Sequence, residues 1–215
     1  LLRIASSELE WLLERGYPLP SSLVLVGNHH NLDSRQRLAL QRSCCAESQQ
    51  RDRKSRALGR DAVRGQVLHL DGFNVVVTLE VALGGGVVLR GSDGCLRDLA
   101  GLRGSYHLVD ETSQVIEHMG VVLSELQPAS CEVLLDSPVS NSGRLRALLQ
   151  EQAKAWPFPT SVELVNDPDP VLAKRSGVAS SDSMILDRCG AWANLTAWVV
   201  ESRIPKAWVI DLHRA

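Results

Sequence analysis

At 215 residues, 44% hydrophobic and 22% charged, the chain suits one globular domain with a smaller appendage and is too apolar for wholesale disorder. Its net charge of −2 selects no class of partner. Nine Arg and Lys against four Asp and Glu between Asp33 and Arg64, however, leave that stretch at +5 and the remainder at −7, which favours an anionic partner.

The chain opens mid-pattern at Leu1 without Met, and no signal peptide is legible. No apolar run reaches the roughly 18 residues of a membrane span, so a soluble, cytoplasmic protein without membrane contact is expected. Cys44, Cys45, Cys95, Cys131 and Cys189 form no CxxC pair and are odd in number. Neither a zinc ribbon nor a disulfide framework fits, and buried, reduced thiols are expected.

Residues 1–64 read as a helical domain. Ile4, Leu9, Leu12 and Leu13 share one helix face, and Gly16, Pro18 and Pro20 end that helix. A short apolar run, Leu23 to Val26, leads to Gly27, Asn28, His29 and His30. Asp33 followed by Gln36 forms a capping box that opens a second helix. This helix is expected to run into Arg51, Arg53, Lys54, Arg56, Arg60 and Arg64 as a solvated end or linker.

Residues 65–215 alternate short apolar strands with amphipathic helices. Strands are predicted at Val67–Leu70, Val133–Leu135, Val162–Val165, Val178–Ala179 and Trp208–Ile210. Helical faces gather Val115, Ile116, Met119, Val122, Leu123 and Leu126, then Leu145, Leu148, Leu149 and Ala153, then Trp192, Leu195 and Val199. The alternation implies right-handed crossovers and a mainly parallel sheet flanked by helices. Val75–Thr78 favour strand by propensity. Glycines around Val87–Arg90 predict a short strand or hairpin. The five tryptophans are expected mainly in the core, with Trp156 the one stacking candidate.

Three segments share one grammar, an apolar strand ending in Asp followed by a small or polar loop: Leu68-His69-Leu70-Asp71-Gly72-Phe73-Asn74, Val133-Leu134-Leu135-Asp136-Ser137-Pro138, and Val178-Ala179-Ser180-Ser181-Asp182-Ser183. Parallel strands put their C-terminal ends along one edge, where open α/β sheets bind ligands. Carboxylates converging there repel, so one takes a proton or a hard divalent cation such as Mg²⁺ or Mn²⁺ sits among them. Each Asp is also the residue type of an ordinary helix cap.

Asp71-Gly72-Phe73-Asn74 resembles the opening DGxN of PIN-like nucleases of the NYN branch, and Ser180-Ser181-Asp182 resembles their later (S/T)xD. Asp136 falls between, after a central strand. The resemblance covers about residues 66–212 and places Val75–Thr78 on a helix opening near Asn74. It implies a PIN-like α/β fold and a metal-dependent ribonuclease, in which Asp71, Asp136 and Asp182 hold one or two Mg²⁺ or Mn²⁺ ions. Asn74 would fix the loop of Asp71 or touch the metal shell, and Ser180 would support Asp182 as a donor. For the further acid these nucleases carry on a helix, Glu80 fits by order, with Asp93, Asp98 and Asp187 competing.

The whole chain also resembles an uncharacterised prokaryotic family that joins a small helical domain to a larger one. That resemblance rests on Asp71–Asn74, Arg90-Gly91-Ser92-Asp93-Gly94-Cys95 with Arg97-Asp98, Pro138–Leu145 and Ser181-Asp182-Ser183.

Asn141, Ser142 and Arg144 form either a phosphate-receiving helix start or a plain cap. Arg51, Arg53, Lys54 and Arg56 either track an RNA backbone or form a solvated face. Two rivals to a nuclease remain. One is a non-catalytic nucleic-acid or nucleotide-binding module with a degenerate acidic site. The other is a Toprim-like fold, which wants Glu after its first strand and a DxD pair, here only Asp167 and Asp169 in a Pro-rich loop.

Overall fold

The computed structural model describes residues 1–100 and 104–213. Four helices come first: α1 (Leu2–Glu14), α2 (Leu19–His29), α3 (Ser34–Ser43) and α4 (Glu47–Arg56). Ala5, Leu9, Val26, Leu32 and Leu40 form a small core of their own, to which the C-terminal segment adds Leu212. Pro20, expected to end the first helix, sits in the first turn of α2, where its missing N–H has no partner to lose. The Leu23–Val26 run therefore lies inside α2. The Asp33 capping box is present, with Gln36 N donating to Asp33 Oδ1 (2.8 Å) and Asp33 N donating to Gln36 Oε1 (3.0 Å). The helix it opens does not run into the arginines. It ends at Ser43, Cys44 and Cys45 are buried in extended chain, and Gln49 caps a separate α4 through Ala46 N (3.1 Å).

The larger body comprises β1 (Ala57–Leu58), a 3-10 turn (Arg60–Val63), β2 (Val67–Asp71), α5 (Gly72–Leu83), β3 (Val87–Arg90), β4 (Leu96–Asp98), α6 (Thr112–Leu126), β5 (Ser130–Asp136), α7 (Ser142–Ala153), β6 (Thr160–Val165), α8 (Asp169–Leu172), β7 (Val178–Ala179), α9 (Ser183–Leu186), β8 (Trp192–Ala193), α10 (Leu195–Arg203) and β9 (Trp208–Asp211). Six strands form one all-parallel sheet in the order β1-β8-β7-β2-β5-β6. The α/β architecture, parallel sheet and N-terminal helical region are as expected.

Three details differ. The expected fifth strand, β9, joins a separate three-stranded sheet, parallel to β3, while β3 and β4 form the hairpin. The two-residue strands β1 and β8 complete the main sheet instead. Because β1 belongs to that sheet, the helical unit ends at Arg56 rather than at residue 64. Trp11 and Trp208 are 55% and 58% exposed, so only part of the tryptophan set fills the core. All five cysteines are free and buried.

Val75–Thr78 are helical because burial overrides their strand propensity. Val75, Val76 and Leu79 sit at or near zero exposure in a core shared with Val115, Ile116 and Met119 of α6. From β2 the chain adds β5 and β6 on one side, then β7 and β8 on the other. That reversal opens a crevice at the C-terminal ends of β2, β5 and β7. Among the described residues, no helix is long and apolar enough to cross a membrane.

Candidate metal centre at the strand ends

Asp71 ends β2, Asp136 ends β5, and Asp182 follows β7 by three residues. The parallel register, with Asp71 beside Leu134 and Leu70 beside Ala179, brings these ends to one edge. Gly72 lets α5 start flush against β5. A Cβ there would lie 2.5 Å from Leu135 Cδ2 and 2.9 Å from Leu134 O, so the glycine is needed for close approach.

Two polar side chains stitch the loops together. Ser180 Oγ donates to Asp71 Oδ2 (2.7 Å) and accepts from Asp182 N (3.0 Å). Asn74 Oδ1 accepts from Ser181 N (2.8 Å) and Ser181 Oγ (2.9 Å). Asn74 thus fixes the loop after β7. Ser180 supports Asp182 through its backbone, while its hydroxyl serves Asp71. Asp182 does cap a helix, accepting from Met184 N (2.7 Å) and Ile185 N (3.3 Å). Asp71 occupies the cap position of α5 without a side-chain capping bond, and Asp136 lies before the α7 cap, Asn141.

The electrostatics set this cluster apart from the arginine-paired acids of the fold. Burial first, then the charges of Asp169 and Asp182, push Asp71 up to about 7 against the Ser180 hydrogen bond. Asp136 is raised by burial and by Asp167. Asp169 is raised by burial and by Asp182, Asp167 and Asp136. The charges these three feel are those of other aspartates. Asp136 Oδ1 is buried without a hydrogen-bond partner. Asp93, by contrast, is held well below the usual carboxylate range: burial is overcome by Arg97 and Arg53.

Asp169 and Asp167, which the sequence offers only as the DxD pair of a Toprim-like rival, stand at this edge as well. They obey the same grammar, following β6 across Asn166, but lie in a Pro-rich loop rather than at the last strand residue. Among the described residues, the sets of three ligand-type side chains with atoms all within 4.8 Å of one another lie elsewhere. The aspartates therefore stand somewhat apart, as uncompensated like charges do.

The remaining candidates go to other work. Glu80 Oε1 accepts from Tyr106 Oη (2.6 Å) and from Thr112 Oγ1, with Glu111 as its charged neighbour, and is not part of the aspartate cluster. Asp98 accepts from Thr78 Oγ1 (2.9 Å) and Ala100 N (2.8 Å). Asp93 binds Arg53 and Arg97 at 2.6 Å each, and Asp187 binds Arg53 at 2.6 Å. Asn141, at φ +62°, donates to Tyr106 O (2.6 Å), and Ser142 Oγ donates to Ser137 O (3.3 Å). Arg144 is exposed on α7.

The basic segment is not a solvated stripe. Arg53 is 1% exposed and tied to Asp93 and Asp187. Arg56 donates to the carbonyls of Leu186 and Gly190 at 2.9 and 3.2 Å. Arg51 pairs with Glu47 and Glu14, and Lys54 is exposed. Arg53 and Arg56 clamp α4 onto the sheet domain. Between the two units lies a 680 Å³ cavity with Ser181, Asp182 and Met184 on one wall and Tyr17, Leu38 and Arg42 on the other.

Residues 1–56 match the family described as a protein of unknown function (DUF434), and residues 60–198 match the domain of unknown function (DUF5616). The two matches meet at β1. The uncharacterized protein MJ0935 of Methanocaldococcus jannaschii is 28% identical over 182 residues, covering 85% of this chain and 87% of that protein. No solved structure matches the chain. With well over half its length under one model, the chain belongs to the family of the domain of unknown function DUF5616.

Proposed function

We propose that this chain is a Mg²⁺- or Mn²⁺-dependent phosphodiesterase of the PIN-like kind that hydrolyses RNA at the C-terminal edge of its main sheet. The observation that carries the reading is uncompensated acid. Asp71, Asp136 and Asp169 feel mainly one another's class of charge, whereas Asp93, whose side chain is buried like that of Asp71, has two arginines. Perturbed carboxyls without cationic partners mark functional sites more often than structural ones. The donor set is all oxygen, which suits a hard cation, and the orphaned Asp136 Oδ1 gives it a ligand.

Asp71, Asp136 and Asp182 would hold the ion, with Asp169 as the further acid. The bound ion would supply a water of lowered pKa and stabilise charge on phosphate oxygens. Ser180 and Asn74 hold the loops of Asp71 and Asp182 in register. Asp136 and Asp169 are more exposed, so small movements bring them in. Across the interdomain cavity, Arg42 offers a charge to phosphate and Tyr17 an aromatic face to a base.

Single-stranded RNA should be cleaved in the presence of Mn²⁺, with the rate falling by about two orders of magnitude or more in Asp182→Asn. Metal-dependent stabilisation without hydrolysis of varied RNA and DNA would instead favour a binding module with a degenerate acidic site.

A further inference from the structure

A second constellation lies outside the aspartate edge and was not foreshadowed by any sequence spacing. Glu10 comes from α1, Cys44 from the residue that ends α3, and His213 from the segment after β9. One ligand atom from each lies within 4.8 Å of the other two. Glu10 Oε1 is hidden from solvent without a hydrogen-bond donor. It forms an ion pair with His213 Nδ1 at 3.5 Å, beyond a well-formed hydrogen bond. Ser6 Oγ sits beside both other groups, 3.2 Å from Cys44 Sγ and 3.3 Å from His213 Nδ1. Asp211 Oδ1 accepts from His213 N (2.8 Å) and fixes that backbone.

We infer that Glu10, Cys44 and His213 form a separate cation site for a zinc-class ion, which staples the C-terminal segment to the helical unit. A thiolate, an imidazole and a carboxylate from three distant segments suit a borderline metal in tetrahedral coordination and are a poor set for Mg²⁺. Bond lengths near 2.0–2.3 Å put ligand atoms roughly 3.3–3.7 Å apart in such a site. Side-chain movements of about 1 Å close the observed gaps. The buried carboxylate oxygen, 3.5 Å from His213 Nδ1 and without a hydrogen bond, then gains a direct ligand contact.

The fourth position opens toward a neighbouring 510 Å³ cavity lined by Ser6, Glu10 and His213, from which water enters. Burial pushes the Cys44 thiol up to about 12, so coordination releases that proton to solvent as the sulfur binds. Leu212, next to His213, packs in the helical core, so the staple reinforces a contact already made. Cys44 also lines the interdomain cavity, and an ion on it fixes one wall of the cleft.

Co²⁺ titration of the full chain tests the site. One equivalent should produce a thiolate-to-cobalt absorption band with tetrahedral visible bands. Cys44→Ser should abolish the band, and Cys45→Ser and Asp71→Asn should keep it, which separates this site from the strand-end aspartates. Glu10→Gln retains the thiol and should weaken Co²⁺ binding about tenfold or more. No thiolate band at stoichiometric Co²⁺, or a band that survives Cys44→Ser, overturns the inference. If Cys44→Ser does not fold, unchanged Co²⁺ affinity in Glu10→Gln overturns it equally.

Discussion

Asp71→Asn should make the metal-free protein more stable at pH 8 while abolishing RNA hydrolysis. The side chain is buried, and its carboxyl is pushed from an ordinary 3.8 to about 7 by burial and by Asp169 and Asp182. Between these values the folded state keeps a proton that the unfolded chain has released. A group raised in this way contributes stability that is fully present below about pH 4 and is lost as pH rises through 7. At pH 8 wild type carries the whole unfavourable term, at most about 4 kcal/mol at 1.36 kcal/mol per unit. Asparagine is neutral at every pH and can still accept from Ser180. The advantage of the variant in urea denaturation should therefore be large at pH 8 and shrink toward pH 4. Millimolar Mg²⁺ or Mn²⁺ should narrow it, since wild type gains stability by mass action. A variant equally destabilised at pH 5 and pH 8 would mean that Asp71 is an ordinary structural carboxylate.

Arg53→Ala should cost about 3–5 kcal/mol, because it strips a desolvated ion network of its centre. Arg53 is 1% exposed and joins Asp93 to Asp187, while Arg97 alone is left to compensate Asp93. Its backbone carbonyl also receives Trp192 Nε1 (2.7 Å), so α4 and β8 loosen together. Two positions earlier on the same helix, Arg51→Ala should change stability by roughly 0.5 kcal/mol or less, since its pairs with Glu47 and Glu14 are at the surface. Urea denaturation checks both. Equal, small effects would return Arg53 to the solvated face that its sequence context suggests.

Those two arginines show where sequence reading stops. Four basic residues in six positions look alike in one dimension. Which of them is buried depends on Asp93 and Asp187, 40 and 134 residues away. The strand-end aspartates were legible because strand periodicity and the parallel rule act locally. Asp169 was legible only as half of a DxD pair with Asp167, since Asn166, Asp167 and Pro168 separate it from the end of β6. Strands β1 and β8 have two residues each, too few for any period. The Trp208–Asp211 segment reads correctly as a strand, but its choice of β3 over the main sheet is a tertiary pairing no local pattern encodes. Glu80 fitted by order on α5, yet its carboxylate faces Tyr106 and Thr112, which only the packing of α5 against the following segment reveals.

The most direct measurement is anomalous diffraction from crystals equilibrated with millimolar Mn²⁺ at pH 8. A manganese peak bounded by Asp71, Asp136 and Asp182, with Asp169 drawn toward it, is the expected result. Ordered density for all four aspartates with no manganese among them, whether or not the ion appears elsewhere on the molecule, would contradict the metal centre at the strand ends.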